Sequence, residues 1–299
     1  MNRREVLGAG VTLMAAAGLA GGTSPEAPLI RRRIPASGEE LPLIGLGTSG
    51  PFEVGAAEAQ RAPLREVLAA FFAAGGRLID TSPMYSTAEA VLGDLLTPAM
   101  HQGAFLATKV WTSGAVAGSQ QMTRSAQLLK TQRLDLIQVH NLLDLDTQLK
   151  TLRAWKESGR VRYIGVTHYT VGAHAELARV LAREQLDFVQ FNYSPVTRAA
   201  EQRLLPLAAE RGVAVLINRP FEDGELFRRT AGRALPPWAA ELGATSFGQL
   251  ALKFIAAAPA VTCIIPATGK VSHLMDNLAG GRGPLPDARQ REAIAQAFA

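Results

Sequence analysis

Three titratable side chains end short apolar runs of this chain, and a fourth follows in the loop after the first of those runs. Asp80, Lys109 and His140 each end a run, and Tyr85 comes shortly after Asp80. A tyrosine is a poor acid near neutral pH unless a nearby cation favours its phenolate. A lysine oriented by a carboxylate is such a cation, and a histidine can donate a hydrogen bond or relay a proton. The four residues therefore predict proton delivery to a carbonyl oxygen.

Each of the four residues also has a structural explanation when it is considered alone. Asp80 could close an Asx turn, and Lys109 could be a solvated strand end. His140 could be a hydrogen-bonded core histidine, and Tyr85 could serve packing. The catalytic interpretation depends on the fold bringing the four side chains together.

The spacing of apolar runs predicts that fold. Short β-branched runs alternate with longer segments of helical periodicity, such as residues 65–72 and 149–155. Eight such alternations predict an α/β protein, a (β/α)₈ TIM barrel with a single domain, in which active-site groups lie at the carboxyl ends of the strands. The runs start near Leu43, Arg77, Ala104, Leu134, Val161, Phe188, Val213 and Val261.

Two further features refine this prediction. The long interval before the last strand leaves room for an extra loop or helix at residues 221–235, and a final helix is expected at residues 285–298. The segment Gly45–Gly50 matches the glycine pattern of dinucleotide-binding Rossmann folds. It is followed by a loop that starts at Pro51 rather than by a helix, so the Rossmann interpretation is disfavoured.

The order and spacing of several motifs resemble the aldo-keto reductase family over essentially the whole chain after its first residues. The resemblance implies a metal-free hydride transfer between NAD(P)H and an aldehyde or ketone, with the four residues above matching the family's catalytic tetrad. The motifs are Gly45-Leu46-Gly47-Thr48, Ile79-Asp80-Thr81-Ser82, Thr108-Lys109, Val139-His140, residues 159–166, Gln190-Phe191-Asn192-Tyr193 and Ile264-Ile265-Pro266 followed by Asp276-Asn277.

The resemblance also implies a cofactor site, which departs from the family pattern at several positions. Thr167 and His168 stand where the family commonly has Ser-Asn to hold the nicotinamide amide, and Asn218 stands where an aromatic residue often stacks on the ring. Lys270 is the one permanent cation in the segment expected to bind the adenosine 2′-phosphate. NADP(H) is expected as the preferred cofactor, with NAD(H) as the alternative. The implied cofactor positions are Gly47, Thr48, Asp80, Thr167, His168, Gln190, Asn218, Arg219, Pro220, Phe221, Pro266, Thr268, Lys270, His273, Asp276 and Asn277.

Little in the sequence identifies the carbonyl substrate. Trp111 lies two residues after Lys109 and is expected to form an apolar wall of the pocket, with packing under its loop as the alternative. The chain ends 22 residues after Asn277, so the loop that closes the pocket in larger family members is expected to be absent. An open pocket should accept varied carbonyl compounds.

Residues 1–27 read as an export signal with a linker, and residues 28–299 as the barrel. Arg3 and Arg4 precede an uncharged run from Val6 to Pro25 that is rich in alanine and glycine, which resembles the twin-arginine export signal of bacteria. The expected location is the periplasm or another exported site, with the export machinery as a partner. A segment left uncleaved would instead tether the protein to a membrane, although its glycines make it a poor span.

Composition excludes several other classes. The net charge is +5, but the first 33 residues carry five arginines against two glutamates, so the remainder is nearly neutral and no nucleic-acid partner is expected. The single Cys263 excludes an intrachain disulfide and a cysteine-rich metal site. We expect a monomer that acts on a small carbonyl compound. The alternatives are a cofactor-binding sensor or accessory subunit with little turnover and, less favoured, a metal-dependent barrel hydrolase.

Overall fold

In a computed structural model, which describes residues 27–299, eight parallel strands form one sheet and alternate with helices. The predicted (β/α)₈ barrel is confirmed. The predicted export signal lies outside the described residues, up to Glu26. The barrel strands are β3 (Leu46–Gly47), β4 (Leu78–Asp80), β5 (Phe105–Val110), β6 (Leu134–His140), β7 (Val161–Thr167), β8 (Phe188–Asn192), β9 (Ala214–Asn218) and β10 (Val261–Ile264).

The strands pair in chain order from β3 to β10, and the first strand meets the last. Parallel bridges join Ile44 to Ile264 and Gly47 to Ala267, and the amide of Gly47 donates to the carbonyl of Pro266 over 3.0 Å. A Cβ atom on Gly47 would lie 2.7 Å from the carbonyl oxygen of Ile265. The glycine-rich segment therefore serves the seam that closes the barrel, because only glycine permits this approach.

Strand periodicity divides the apolar side chains into two clusters. Residues of one parity point into the barrel, where the rings of Phe105, Tyr163 and Phe188 pack with centroids 5.5 to 5.9 Å apart. Residues of the other parity, such as Ile79 and Val139, pack against the surrounding helices. This alternation follows from the two-residue repeat of a strand.

The outer layer consists mainly of helices that follow the strands. The helix Phe247–Ala256 is buried along almost its whole length because two later helices, Val271–Gly280 and Ala288–Ala297, cover it. The helices are α1 (Glu58–Ala73), α2 (Ala88–Leu95), α3 (Pro98–Gly103), α4 (Ala115–Leu128), α5 (Leu145–Glu157), α6 (His174–Arg183), α7 (Leu204–Arg211), α8 (Glu225–Thr230), α9 (Phe247–Ala256), α10 (Val271–Gly280) and α11 (Ala288–Ala297).

A hairpin of β1 (Arg31–Arg33) and β2 (Glu40–Pro42) precedes the barrel, and the sequence analysis did not predict it. Ile34 and Leu41 of this hairpin are fully buried in the same cluster as the interior side chains of the strands. Glu39 binds Arg77 and Arg162, which lie where β4 and β7 begin. The hairpin thus closes the amino-terminal end of the barrel, which leaves the carboxyl ends of the strands as the open face.

Two kinds of structure are absent from the described residues. Among residues 27–299, no helix has the length and apolar character needed to cross a membrane. Within the same residues, no group of three or more histidine, cysteine, aspartate or glutamate side chains is placed to hold a metal ion.

Candidate active site

A polar layer lies inside the barrel at the carboxyl ends of its strands. Asp80, Lys109 and His140 lie on β4, β5 and β6. Each is an even number of residues from a side chain of the interior cluster on its own strand, namely Leu78, Ala107 and Leu136. The two-residue repeat therefore points all three polar side chains inward. The catalytic interpretation required this convergence.

Lys109 and Asp80 form a buried ion pair. Lys109 Nζ lies 2.6 Å from Asp80 Oδ1 and also donates to the carbonyl oxygen of Thr81 over 2.8 Å. The lysine side chain is 1% exposed and the aspartate side chain 3%. Burial acts to lower the pKa of Lys109, but Coulombic interactions with Asp80 and Tyr85 outweigh it and hold that pKa above its ordinary value. The lysine is therefore a permanent cation inside the barrel.

Tyr85 is held next to this cation by a tight turn after β4. Its amide donates to the carbonyl oxygen of Ser82 over 3.0 Å, and its own carbonyl oxygen accepts from the amide of Ala88 at the start of α2. Lys109 Nζ lies 4.8 Å from the centroid of the tyrosine ring. The turn therefore holds the phenol ring directly beside the buried ammonium.

His140 lies beside the pair as a neutral ring. Burial, with Lys109 and His168 nearby, lowers the pKa of His140 to about 3. Its Nδ1 atom is buried and has no hydrogen-bond partner among the described residues. A neutral imidazole carries one N–H, so it can donate one hydrogen bond to an oxygen in the site.

Two glutamines complete the hydrogen bonding of Asp80. Asp80 Oδ2 accepts from Gln138 Nε2 over 3.2 Å and from Gln190 Nε2 over 3.1 Å. Gln190 Oε1 in turn accepts from Thr167 Oγ1 and from Asn218 Nδ2. Sequence reasoning missed Gln138, although its position two residues before His140 on the same strand predicts an inward side chain.

The polar layer forms the floor of a cleft of about 790 Å³. Trp111 forms part of its wall, with its ring centroid 6.5 Å from that of His140, while Lys109 lies beneath the floor and does not line it. The predicted site residues that line the cleft are Gly47, Thr48, Asp80, Tyr85, Trp111, His140, Thr167, Gln190, Asn218, Arg219, Pro220, Phe221 and Pro266.

Further residues line the cleft that the sequence analysis did not assign to the site. Most lie next to or within a few positions of assigned residues in the loops after the strands, such as Tyr169 and Asp223. Only their closeness in sequence to assigned residues could have indicated them, because loop side chains follow no periodic pattern. The remaining lining residues are Ser49, Pro51, Glu53, Met84, Asn141, Gly224, Phe227, Ile265 and Ala267.

His168 does not line the cleft, although its sequence position matches an amide-binding residue of the family. Its Nδ1 accepts the backbone amides of Tyr169 and Thr170 over 3.0 and 3.3 Å, and its ring stacks on Tyr169. The side chain thus stabilises its own loop. Its predicted contact with the cofactor would require a different side-chain orientation.

The predicted 2′-phosphate segment lies beyond the cleft, at the start of α10. Lys270 and His273 are exposed, and Thr268 Oγ1 accepts the amide of Lys270 over 3.2 Å. Asn277 is buried. Asp276 is occupied by Ser246 Oγ and Gln249 Nε2, so it joins α9 to α10. Of the predicted segment, Pro266 and Ala267 line the cleft, whereas Thr268, Lys270, His273, Asp276 and Asn277 do not.

A charged loop follows β9 at the same side of the cleft. Asn218 stands at the end of the strand, and Arg219 Nη2 lies 2.7 Å from Asp223 Oδ2. The rings of Phe221 and Phe227 pack with centroids 4.9 Å apart. Asn218 therefore donates a hydrogen bond to Gln190, and Phe221 and Phe227 provide the aromatic surface on this side of the cleft.

The barrel, with a buried lysine–aspartate pair beneath a cleft at its open face, defines the class of protein to which this chain is related. The model of the Aldo/keto reductase family matches residues 43–294. The chain belongs to the aldo/keto reductase family.

Individual relatives are distant. The aldo-keto reductase ausK of Emericella nidulans is 26% identical over 292 residues, a match that covers 80% of this chain and 73% of the relative. The NADH-specific methylglyoxal reductase of Escherichia coli is 26% identical over 180 residues, which covers 51% of this chain and 54% of that enzyme. The chain therefore spans about half the length of the second relative.

Solved structures share the fold. An aldo-keto reductase of Klebsiella pneumoniae in complex with NADPH has a TM-score of 0.76 at 22% identity, with 90% of this chain and 96% of that chain covered. The holo form of AKR11C1 from Bacillus halodurans has a TM-score of 0.73 at 20% identity over the same shares of the two chains. At these identities the likeness concerns the barrel architecture.

Proposed function

We propose that this protein reduces aldehydes or ketones to alcohols with NAD(P)H and that Tyr85 is the acid that protonates the developing alkoxide. Membership of the family supports carbonyl reduction with a nicotinamide cofactor. The observation that carries the assignment of Tyr85 is the buried Lys109 ammonium, 4.8 Å from the phenol ring and fixed by Asp80.

The residues around the cleft fit a dinucleotide. The cleft extends from the catalytic floor to the loops after β9 and β10, and Thr167 and Gln190 line it. The bound cofactor would supply the hydride. Thr48 supports the floor by donating to the carbonyl oxygen of Asp80 over 3.0 Å.

Side chains of this protein would orient the carbonyl, stabilise the phenolate and exclude water. The neutral His140 donates its N–H to the substrate oxygen and orients the carbonyl. Lys109 stabilises the phenolate that Tyr85 becomes after it gives up its proton, and Asp80 keeps the ammonium in place. Trp111, 38% exposed, excludes water from one side of the substrate.

The test combines binding and turnover. Purified protein should bind NADPH or NADH in a fluorescence titration and should reduce benzaldehyde. Tyr85→Phe should lower kcat by about 10²- to 10⁴-fold, the usual contribution of a general acid, with little change in cofactor affinity.

Tyr169→Phe is the matched control, because it removes a phenol hydroxyl from the same cleft and keeps the ring. It should lose far less activity than Tyr85→Phe. Equal losses in the two variants would refute the role of Tyr85. Cofactor binding without any turnover of simple aldehydes would support the sensor or accessory alternative.

We also propose NADP(H) as the preferred cofactor. Lys270 and Thr268 provide a cation and a hydroxyl at the start of α10, where a phosphate dianion would gain charge-assisted hydrogen bonds. NAD(H) remains the alternative, since one exposed lysine is a modest phosphate site.

Export is proposed from the first residues of the chain. Arg3 and Arg4 before an uncharged run of about 20 residues predict a twin-arginine signal and a periplasmic location. In a bacterium that carries this pathway, Arg3→Lys with Arg4→Lys should retain the full-length chain in the cytoplasm on cell fractionation. Arg31→Lys with Arg33→Lys, outside the signal, should leave export intact. Unchanged export of the first double variant would contradict the proposal.

A further inference from the structure

One loop of the cleft carries charges that the catalytic assignment does not use. Among the described residues that line the cleft, Arg219 is the sole basic one, while Glu53 and Asp223 are acidic and Asp80 is neutralised by Lys109. The diphosphate of a dinucleotide is a dianion. A lining with more acidic than basic groups opposes such a ligand unless a cation is released for it.

The guanidinium of Arg219 is accessible for such a ligand but already occupied. Its Nη2 lies 2.7 Å from Asp223 Oδ2, and the guanidinium carbon lies 5.8 Å from the centroid of the Tyr169 ring. Its Nε is buried without a hydrogen-bond partner among residues 27–299. Arg219 therefore reaches from the loop after β9 to the loop after β7. Asp223 accepts a hydrogen bond from one of its guanidinium nitrogens, Nη2.

The backbone of this loop is strained. Arg219, Glu222 and Asp223 have φ values of +50°, +50° and +52°, in the left-handed region that favours glycine. Strain of this kind is concentrated at ligand clamps and switch segments, where the surrounding structure enforces it. Here it places Asp223 back onto Arg219 within one short turn.

We propose that Arg219 binds the diphosphate of the dinucleotide and that Asp223 competes with the diphosphate for this guanidinium. The inference rests on the proposed function, because it assumes a dinucleotide in the cleft. The side chain of Asp223 is 70% exposed, and an exposed ion pair of this kind is weak. A dianion that accepts two parallel hydrogen bonds from arginine is the stronger partner, so it displaces the carboxylate.

The position of Arg219 favours the diphosphate over the adenosine 2′-phosphate. The preceding residue, Asn218, donates to Gln190 Oε1 over 3.2 Å and so belongs to the network that reaches Asp80. Arg219 is therefore next to the catalytic end of the cleft. The 2′-phosphate is assigned to Thr268 and Lys270, beyond the cleft.

The experiment measures equilibrium binding rather than turnover. NADH and NADPH are titrated separately into the wild-type chain and into Asp223→Asn, with quenching of protein fluorescence or calorimetry as the readout. The Kd of both cofactors should fall by about three- to fivefold in Asp223→Asn, because the competing charge is gone while a side chain of the same shape remains. In the double variant Arg219→Met with Asp223→Asn, this gain should disappear.

Glu225→Gln is the matched control. Glu225 is the first residue of α8, directly after this loop, and binds Arg228 and Arg229 at 2.7 and 3.3 Å, but it does not line the cleft. The variant removes one negative charge from the same region, so it corrects for the general change in electrostatic potential. Its cofactor affinities should stay within about twofold of the wild type.

Each other outcome overturns the inference. An unchanged Kd in Asp223→Asn, or an equal gain in Glu225→Gln, removes the competition. Tighter binding of NADPH alone would place Arg219 at the 2′-phosphate instead of the diphosphate. In these three cases the proposed function stands, whereas a wild-type chain that binds neither cofactor would refute the proposed function as well.

Discussion

Two ion pairs, one beneath the cleft and one at its rim, have nearly the same length but very different exposure to solvent. Lys109 and Asp80 are 2.6 Å apart with side chains 1% and 3% exposed, while Arg219 and Asp223 are 2.7 Å apart with side chains 32% and 70% exposed. Removing one partner of a buried pair leaves a charge without solvent, but water replaces the partner of an exposed one. Burial, rather than distance, thus distinguishes the permanent pair beneath the cleft from the solvent-exposed pair at its rim.

The largest effect should come from removing the buried cation. Lys109→Met leaves Asp80 as an uncompensated charge inside the barrel, so the free energy of unfolding should fall by about 3–5 kcal/mol. Activity on benzaldehyde should fall by at least about 10³-fold, because Tyr85 loses its cationic neighbour. Urea denaturation and steady-state kinetics measure the two losses.

A double variant separates stability from catalysis at this pair. Asp80→Asn with Lys109→Met removes both charges, so it should regain most of the lost stability and none of the activity. Asp223→Asn at the rim should change the free energy of unfolding by less than about 1 kcal/mol. A comparable loss at the two pairs would refute the distinction between them.

A second effect concerns the pH dependence of stability that His140, at the floor of the cleft, should produce. The pKa of His140 in the folded protein is lowered to about 3, whereas an unfolded histidine titrates near 6.5. The unfolded chain therefore binds the proton first, and stability falls as the pH drops from about 6.5 towards 3. The loss from this residue should reach about 2 kcal/mol between pH 7 and pH 5.

The check is urea denaturation of the wild type and His140→Asn at pH 7 and pH 5. The variant should lose less stability than the wild type between these pH values. His273→Asn, at the exposed start of α10, should keep the wild-type dependence. A wild-type slope in His140→Asn would show that this ring is not held neutral by its surroundings.

The smallest effect is expected at the exposed cation of the 2′-phosphate segment. Lys270→Ala should raise the Kd of NADPH by up to about tenfold and leave the Kd of NADH within about twofold, because only NADPH carries the 2′-phosphate. Fluorescence titration measures both constants. Lys150→Ala, an exposed position on α5, serves as the charge control. An equal weakening of NADH would disconnect Lys270 from the 2′-phosphate.

The polar floor of the cleft could be predicted from the sequence because strand periodicity fixes it. Asp80, Lys109 and His140 end apolar runs that the sequence analysis identified as strands, and a strand allows a side chain only two directions. The same reasoning, applied one step further, would have included Gln138. The floor was predictable because a regular backbone leaves few choices for these side chains.

The loops after β7 and β9 could not be predicted in this way. His168 matches a family position, yet its ring binds the amides of its own loop, which is a choice between competing hydrogen bonds of similar energy. The pairing of Arg219 with Asp223 depends on left-handed backbone at non-glycine residues, for which the sequence carries no signal. The closing hairpin was also missed, because its strands are only three residues long.

The point at which the described chain enters the barrel determines where a fusion partner or surface can be attached. The amide of Ile30 donates to the carbonyl oxygen of Gly281, and Arg32 donates to the carbonyl oxygen of Ala256, both where outer helices end beside the closing hairpin. This end is opposite the cleft. A fusion partner, an affinity tag or an immobilising surface joined ahead of Ala27 would therefore sit behind the barrel, where it leaves access for cofactor and substrate unobstructed.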